Sequence, residues 1–374
     1  MIKITLTPQQ KRLWLGGGAI VVVLAAAIVG AVLFHAKAKT KNTVSPVVAC
    51  ANCTSPSPSA SATATPTPIP MVARKLDGVL VPVGQENIRP LAVMIENHPD
   101  ARPQSGLSKA NLVYEAIAEG GITRFMAVFA DPLTSVRVGP TRSARTYFLD
   151  FATELNALYA HVGGNIDALD QIRLQGGVGD LDEFSVGAPT YQRDFSRNVA
   201  IEHTMYSTTD KLWDYATTKR ADATTSNYTG WQFADAADPA NRGTAQTATI
   251  TFSSALYTVG WTYDKMANLY SRSLAGAPQL DAIDNSPITA SNIILQTVIR
   301  THITTRIGED GWRFTLTGTG NGTLLQNGIA TPITWKKSGT DRTLYYDSSG
   351  KEISFVRGTT WVELVHPDTK VVIQ

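Results

Sequence analysis

Cysteine is nearly absent from this 374-residue chain: Cys50 and Cys53 are the whole supply. Nothing after residue 53 can therefore be stapled by an internal disulfide, and the bulk of the chain must be held by packing. Acidic residues are missing from the first 71 positions, which carry six Lys/Arg. The rest holds 27 basic against 31 acidic residues, so the formal charge of +2 conceals a negative body. That excludes a whole-domain basic field for nucleic acid, and any anion site must be a local cluster. HExxH, GxSxG and phosphate-loop patterns are also missing, so no ready-made catalytic signature is present. Cys50-x-x-Cys53 has no second CxxC and no nearby His, so zinc spacing is lacking. No metal or cofactor is expected, although Glu and Asp near the arginines discussed below could hold a divalent ion together with a bound phosphate.

What the N-terminus does contain is one uncharged apolar run, Leu13 to Phe34. Its 22 residues suffice to cross a hydrocarbon core of about 30 Å as a helix. The expected order is a cytoplasmic tail over 1–12, a single transmembrane span over 13–34 and a Pro/Ser/Thr-rich stalk over 35–74. Lys3, Lys11 and Arg12 before the span are matched by Lys37, Lys39 and Lys41 after it, so flanking charge does not orient it. The stalk does, because a proline-punctuated tract followed by a long polypeptide reads as extracytoplasmic. Cleavage at Ala36-Lys37-Ala38 is the rival reading. Four states stand open for the cysteines: a local disulfide, a redox pair, half a metal site, or lipidation of Cys50 in the Val47-Val48-Ala49-Cys50 tetrad.

The remaining 300-odd residues exceed the usual span of one core, and two domains are expected, over 75–220 and 246–374 with a linker at 221–245. The predicted fold class is α+β. The first domain mixes strands at Leu91 to Ile95, Asn111 to Glu119, Ile122 to Ala130 and Ser135 to Val138 with helices at Ala144 to Tyr159 and Ile166 to Leu174. The second is mainly antiparallel β, with strands at Thr247 to Phe252, Asn292 to Thr301, Trp312 to Thr317, Ile329 to Trp335, Leu344 to Tyr346 and Thr359 to Val365.

Chemistry concentrates in the first domain. A two-residue Gly120-Gly121 hairpin would set Ile117 opposite Arg124, with Glu115 and Glu119 as diagonal neighbours. A four-residue loop after it would bring Arg137 onto the same face. Arg142, Ser143 and Arg145 then open the long helix, where cations oppose the macrodipole and something negative must compensate them. Either Glu115, Glu119 and Glu96 neutralise the arginines internally, or Arg142 and Arg145 bind a phosphate, sulfate or carboxylate through their guanidinium forks. His161 and His203 are candidate bases, each more simply read as a hydrogen-bonded structural histidine.

The motifs Leu91-Ala92-Val93-Met94-Ile95-Glu96-Asn97, Val113-Tyr114-Glu115, Glu119-Gly120-Gly121-Ile122-Thr123-Arg124-Phe125, Val138-Gly139-Pro140-Thr141-Arg142-Ser143-Ala144-Arg145 and His161-Val162-Gly163-Gly164 resemble the YerB-type bacterial lipoproteins. Further matches fall at Asn292 to Val298, Trp335-Lys336-Lys337, Asp341-Arg342-Thr343, Tyr345-Tyr346-Asp347 and Gly358-Thr359-Thr360-Trp361, so roughly residues 75 to 370 are covered. The resemblance implies a two-domain bacterial envelope protein of unknown function. Taken with the arginine cluster, the expected role is a membrane-tethered envelope protein whose first domain binds an anionic glycan, peptide or protein partner, a cell-wall glycan or envelope protein among them. The chain departs in having a transmembrane run where family members are typically lipidated. A looser likeness to the LytR-CpsA-Psr phosphotransferases rests on order alone: anchor, stalk, strand pair, arginine cluster, helix and Gly-Gly segment. Thr123-Arg124-Phe125 lacks the acidic residue that signature needs, and the enzyme reading stands by analogy only. A structural assembly factor is the third alternative.

Overall fold

The computed structural model describes residues 69–244 and 247–374. The apolar run, the cysteines and the stalk before Ile69 lie outside the described residues. Within them, no helix is long and apolar enough to cross a membrane.

The described residues form one compact unit around a ten-stranded mixed sheet. Five strands come from the first half of the chain: β1 (Leu91–Glu96), β2 (Leu112–Ile117), β3 (Thr123–Phe129), β5 (Leu158–His161) and β6 (Gly179–Asp182). Five come from the second half: β12 (Asn292–Thr297), β13 (Gly318–Gln326), β14 (Ile329–Lys337), β15 (Leu344–Tyr346) and β16 (Thr360–Val365). The order is β15-β14-β13-β12-β16-β2-β3-β1-β5-β6. The halves join where β16 pairs in parallel with β2, in the register that sets Glu363 beside Glu115. The passage 221–245 contributes Trp231 to the core and a short strand, Gln232–Ala234, so it packs rather than spans a gap.

Helix α1 (Thr146–Glu154) covers one face of this sheet, seating Phe148, Phe151 and Ala152 on Met94, Tyr114 and Met126. Each such fully buried large side chain contributes roughly 1.5–3 kcal/mol. A second sheet covers the other face: β9 (Thr247–Thr251), β10 (Thr258–Asp264), β11 (Leu269–Leu274) and β17 (Lys370–Ile373), antiparallel throughout. Its Trp261 meets Trp361 edge-on at 5.3 Å. A small sheet of β4 (Arg137–Val138), β8 (Met205–Thr208) and β7 (Gln192–Arg193) lies apart from both. Helix α2 (Ile166–Gln175) runs between β5 and β6, capped by Asn165.

Two expectations are corrected. The helix expected to reach Tyr159 ends at Glu154, and Leu158–His161 is a strand. Asn156 adopts a positive φ of 46° that breaks the helix, and a strand buried on both faces has no polar alternation to distinguish it from helix. The Gly120-Gly121 turn holds three residues, because Ala118 N donates to Ile122 O at 2.6 Å and Gly120 and Gly121 take φ of 65° and 74°. Arg124 therefore pairs with Ala116, not Ile117, and Glu115 pairs with Phe125 on the opposite face. The second half is mainly antiparallel as expected, with β12 running parallel to β16.

Candidate functional site

The one-residue register change decides the site, because a shift of one flips every side chain of a strand to the other face. Glu115 points into the second sheet. There it pairs with the wholly buried guanidinium of Arg272 from β11, which stacks at 4.6 Å over Trp361. Beside it Glu363 accepts from Trp261 Nε1 at 2.8 Å. Burial, and then the charge of Glu115, push the Glu363 carboxyl well above the usual carboxylate range. Glu115 thus has no part in the arginine cluster.

Arg137 has none either. It lies on β4, pairing with Thr208 of β8 rather than with Val128, and it ion-pairs with Asp194 while stacking 3.8 Å over Tyr206. The loop after β3 carries the chain off the main sheet, which ends the expected hairpin.

The other arginines do meet at the N-terminus of α1. Arg145 occupies the cap position without a side-chain cap, and its fork clasps Glu119 at 2.6 and 2.7 Å. Glu119 resists its own burial through those bonds and stays below the ordinary carboxylate range, supplying the negative charge that the helix start requires. Arg124 donates to the Ser143 carbonyl at 3.0 Å and makes no ion pair among the described residues. Burial, then the neighbouring Arg145, push it down to about 10, still charged at neutral pH. Arg142 approaches Glu96 Oε1 through Nε at 3.1 Å, and the other Glu96 oxygen lies 2.8 Å from His203 Nδ1. Internal neutralisation by Glu119 and Glu96 is present, and it leaves Arg142 partly exposed.

His161 is buried under Tyr159. Its Nδ1 faces the Gly163 carbonyl and its Nε2 faces Asp180, each at 2.8 Å. Against its own burial, the bond from His161 holds the Asp180 carboxyl below its ordinary range, and both ring nitrogens of His161 are engaged by protein oxygens, so neither is directed at a substrate. His161 fastens β5 to β6.

Arg142 and Ser143 open onto a cleft of about 630 Å³ bounded by Thr141, Gly163-Gly164, Phe184, Arg193 and Glu202. Phe184, at the edge of the cleft, is 79% exposed. Arg193 enters from β7, braced at 2.6 Å on the Ile201 carbonyl. Sequence reasoning missed Arg193, since no local pattern ties it to Arg142. It also missed the seam between the halves. Glu154 of α1 receives Lys337 at 2.6 Å, the Thr343 hydroxyl at 2.8 Å and the Arg342 guanidinium, all buried. Asp281 caps the backbone at Gly106 and Ser108, each at 2.9 Å. The signal was available in part, because Lys337, Arg342 and Thr343 lie in the motifs quoted above.

Mixed sheet, helical cover and antiparallel second layer, with motif residues of both halves meeting at one seam, define a two-module family. Residues 77–224 match the N-terminal domain and residues 248–362 the C-terminal domain of a family described as a protein of unknown function, DUF3048. The chain belongs to that family. It is 35% identical over 284 residues to YerB of Bacillus subtilis (strain 168), provisionally named a lipoprotein, across 75% of this chain and 82% of that protein. The crystal structure of YerB from Bacillus subtilis matches with a TM-score of 0.69 and 29% identity, covering 80% of this chain and 99% of that one.

Proposed function

We propose that this chain is a membrane-tethered, extracytoplasmic envelope protein that binds an anionic glycan in the Arg142 cleft. The observation carrying the reading is the division of labour among the arginines. Arg145 is clasped by Glu119 and Arg124 is buried, whereas Arg142 and Arg193 both line open space of about 630 Å³. Guanidinium forks suit phosphoryl and carboxylate oxygens, and the exposed Phe184 ring offers an apolar face to a sugar. The provisional lipoprotein name of YerB and the apolar run at Leu13 to Phe34 both support attachment to a membrane. A stalk of about 3 Å per residue would hold the folded part up to roughly 100 Å from the bilayer.

The test is calorimetric titration of the full-length chain with pyrophosphate and with a pyrophosphate-linked glycan. Saturable binding that Arg142→Ala abolishes supports the reading. Turnover of the glycan would replace it with the phosphotransferase alternative. Absence of any binding, with envelope partners captured irrespective of Arg142, would replace it with the assembly-factor alternative.

A further inference from the structure

His98 and Asp100 have played no part so far, and they lie beside His203, met above only as the partner of Glu96. One ligand atom from each of these side chains lies within 4.8 Å of the others. His203 stands 105 positions from His98, so no metal-ligand spacing is visible in the sequence. We propose that these three side chains form a binding site for a divalent transition metal of the zinc class, with Glu96 as its supporting carboxylate.

His203 is the fixed member, its side chain only 7% exposed. Glu96 Oε2 takes up its Nδ1 at 2.8 Å, and Nε2 has no hydrogen-bond partner among the described residues. A carboxylate on the far nitrogen selects the tautomer that leaves a lone pair on Nε2, orients the ring and raises its basicity as a ligand. Glu96 is itself steadied by Arg142 at 3.1 Å.

His98 and Asp100 are the adjustable members, their side chains 34% and 62% exposed on the turn Pro99–Ala101. The His98 ring is held by one 3.3 Å contact from Asp100 N to Nδ1 and by stacking on His203, centroids 4.8 Å apart and planes 7° from parallel. An imidazole lone pair lies in the ring plane, so two parallel stacked rings cannot address one ion. Binding must swing His98 off the stack. Tetrahedral zinc, with bonds of about 2.0–2.1 Å, sets its ligand atoms roughly 3.3 Å apart, so the closure required is on the order of 1.5 Å. Two side chains at a solvent-facing turn can supply that while His203 stays put. Two imidazoles and one carboxylate favour zinc and its first-row neighbours over calcium or magnesium, which prefer oxygen. Three protein ligands leave the fourth position to water.

The experiment uses the full-length chain carrying Cys50→Ser and Cys53→Ser, so that thiols add no site, after removal of metal by chelation. Zn²⁺ is titrated calorimetrically and Co²⁺ by visible absorption. The expected result is one saturable site per chain, with cobalt bands of four-coordinate intensity. His98→Ala and Asp100→Ala should each weaken zinc binding at least tenfold, Glu96→Gln about 10- to 100-fold, and His302→Ala not at all. His98 and Asp100 are exposed enough for their variants to fold, so the outcome does not hang on the buried His203. The proposal is overturned if no site saturates below millimolar metal, or if His98→Ala and Asp100→Ala bind zinc like the parent.

Discussion

Two glutamate clusters lie on opposite faces of one sheet and satisfy their charge in different ways. On the second-sheet face, Glu115 and Glu363 sit side by side with no exposure, Glu115 bound by Arg272 and Glu363 by the Trp261 indole. Two carboxylates face one guanidinium there, and burial beside Glu115 raises the Glu363 carboxyl, which favours its neutral form. On the helix face, Glu96 and Glu119 meet Arg142, Arg145 and Arg124 at a rim that opens to solvent, so surplus positive charge is tolerated and Arg142 remains reachable. The face of the sheet sets the role: the same residue types fasten two halves together on one side and line a cleft on the other. Neighbouring glutamates on one hairpin, Glu115 and Glu119, fall into different classes because of one residue of register.

The largest expected effect breaks the closed cluster. Arg272→Ala strands Glu115 in a dry core without its partner and should cost about 3–5 kcal/mol, seen as a lower urea midpoint at unchanged slope. A loss below about 1 kcal/mol would show that water reaches Glu115 and that the contrast between the faces is overdrawn. Next comes the proton on Glu363. A carboxyl whose folded pKa is raised binds more protons folded than unfolded. Its contribution to stability is therefore complete below the unfolded value of about 4.3 and is lost as pH climbs toward the folded value, at up to about 1.4 kcal/mol per unit. Glu363→Gln keeps the acceptor for Trp261 without the titration. Melts at acidic, neutral and alkaline pH should show the variant gaining on the parent as pH rises. Parallel curves would place the proton elsewhere.

Much of this was legible beforehand. All six strands expected in the second half overlap observed ones, although 292–301 is divided into Asn292–Thr297 and Arg300–Thr304 and 312–317 falls earlier, at Asp310–Phe314; β1, β2 and β3 match their apolar runs. Strands 258–264 and 269–274 were passed over, because polar Thr, Asp and Ser alternate through them and the apolar signal is carried by Trp261, Tyr263 and Tyr270. Arg142, Arg145 and Glu119 were found by proximity in sequence, where a helix start makes its own demand for charge. Glu115, Arg137 and Arg193 went astray because their placement depends on loop length and on a separate small sheet. Contacts such as Glu154 with Arg342 span the whole fold, and local pattern carries no information about them.

At the open rim the effects shrink. Arg145→Ala removes two bonds to a half-buried Glu119 and should cost roughly 1.5 kcal/mol, well short of Arg272→Ala, because water can reach the stranded carboxylate. A cost equal to that of Arg272→Ala would mean that the rim is as closed as the core.

The smallest expected effect separates Arg142 from Arg137, which the sequence placed in one cluster. Arg137 is 40% exposed and held by Asp194 and the Tyr206 ring, outside the α1 terminus. An exposed pair of this kind contributes about 0–1 kcal/mol to folding, so Arg137→Ala should leave the urea midpoint nearly unmoved. It should also leave pyrophosphate affinity intact, because its guanidinium faces the β4–β8–β7 sheet and does not border the Arg142 cleft. Arg142→Ala should match it in stability to within about 1 kcal/mol, since Glu96 keeps His203 as partner, while anion binding disappears. Titration of the two variants side by side reads the difference directly. Equal loss of affinity in both would rejoin Arg137 to the site and would require the small sheet to fold toward the cleft when ligand binds.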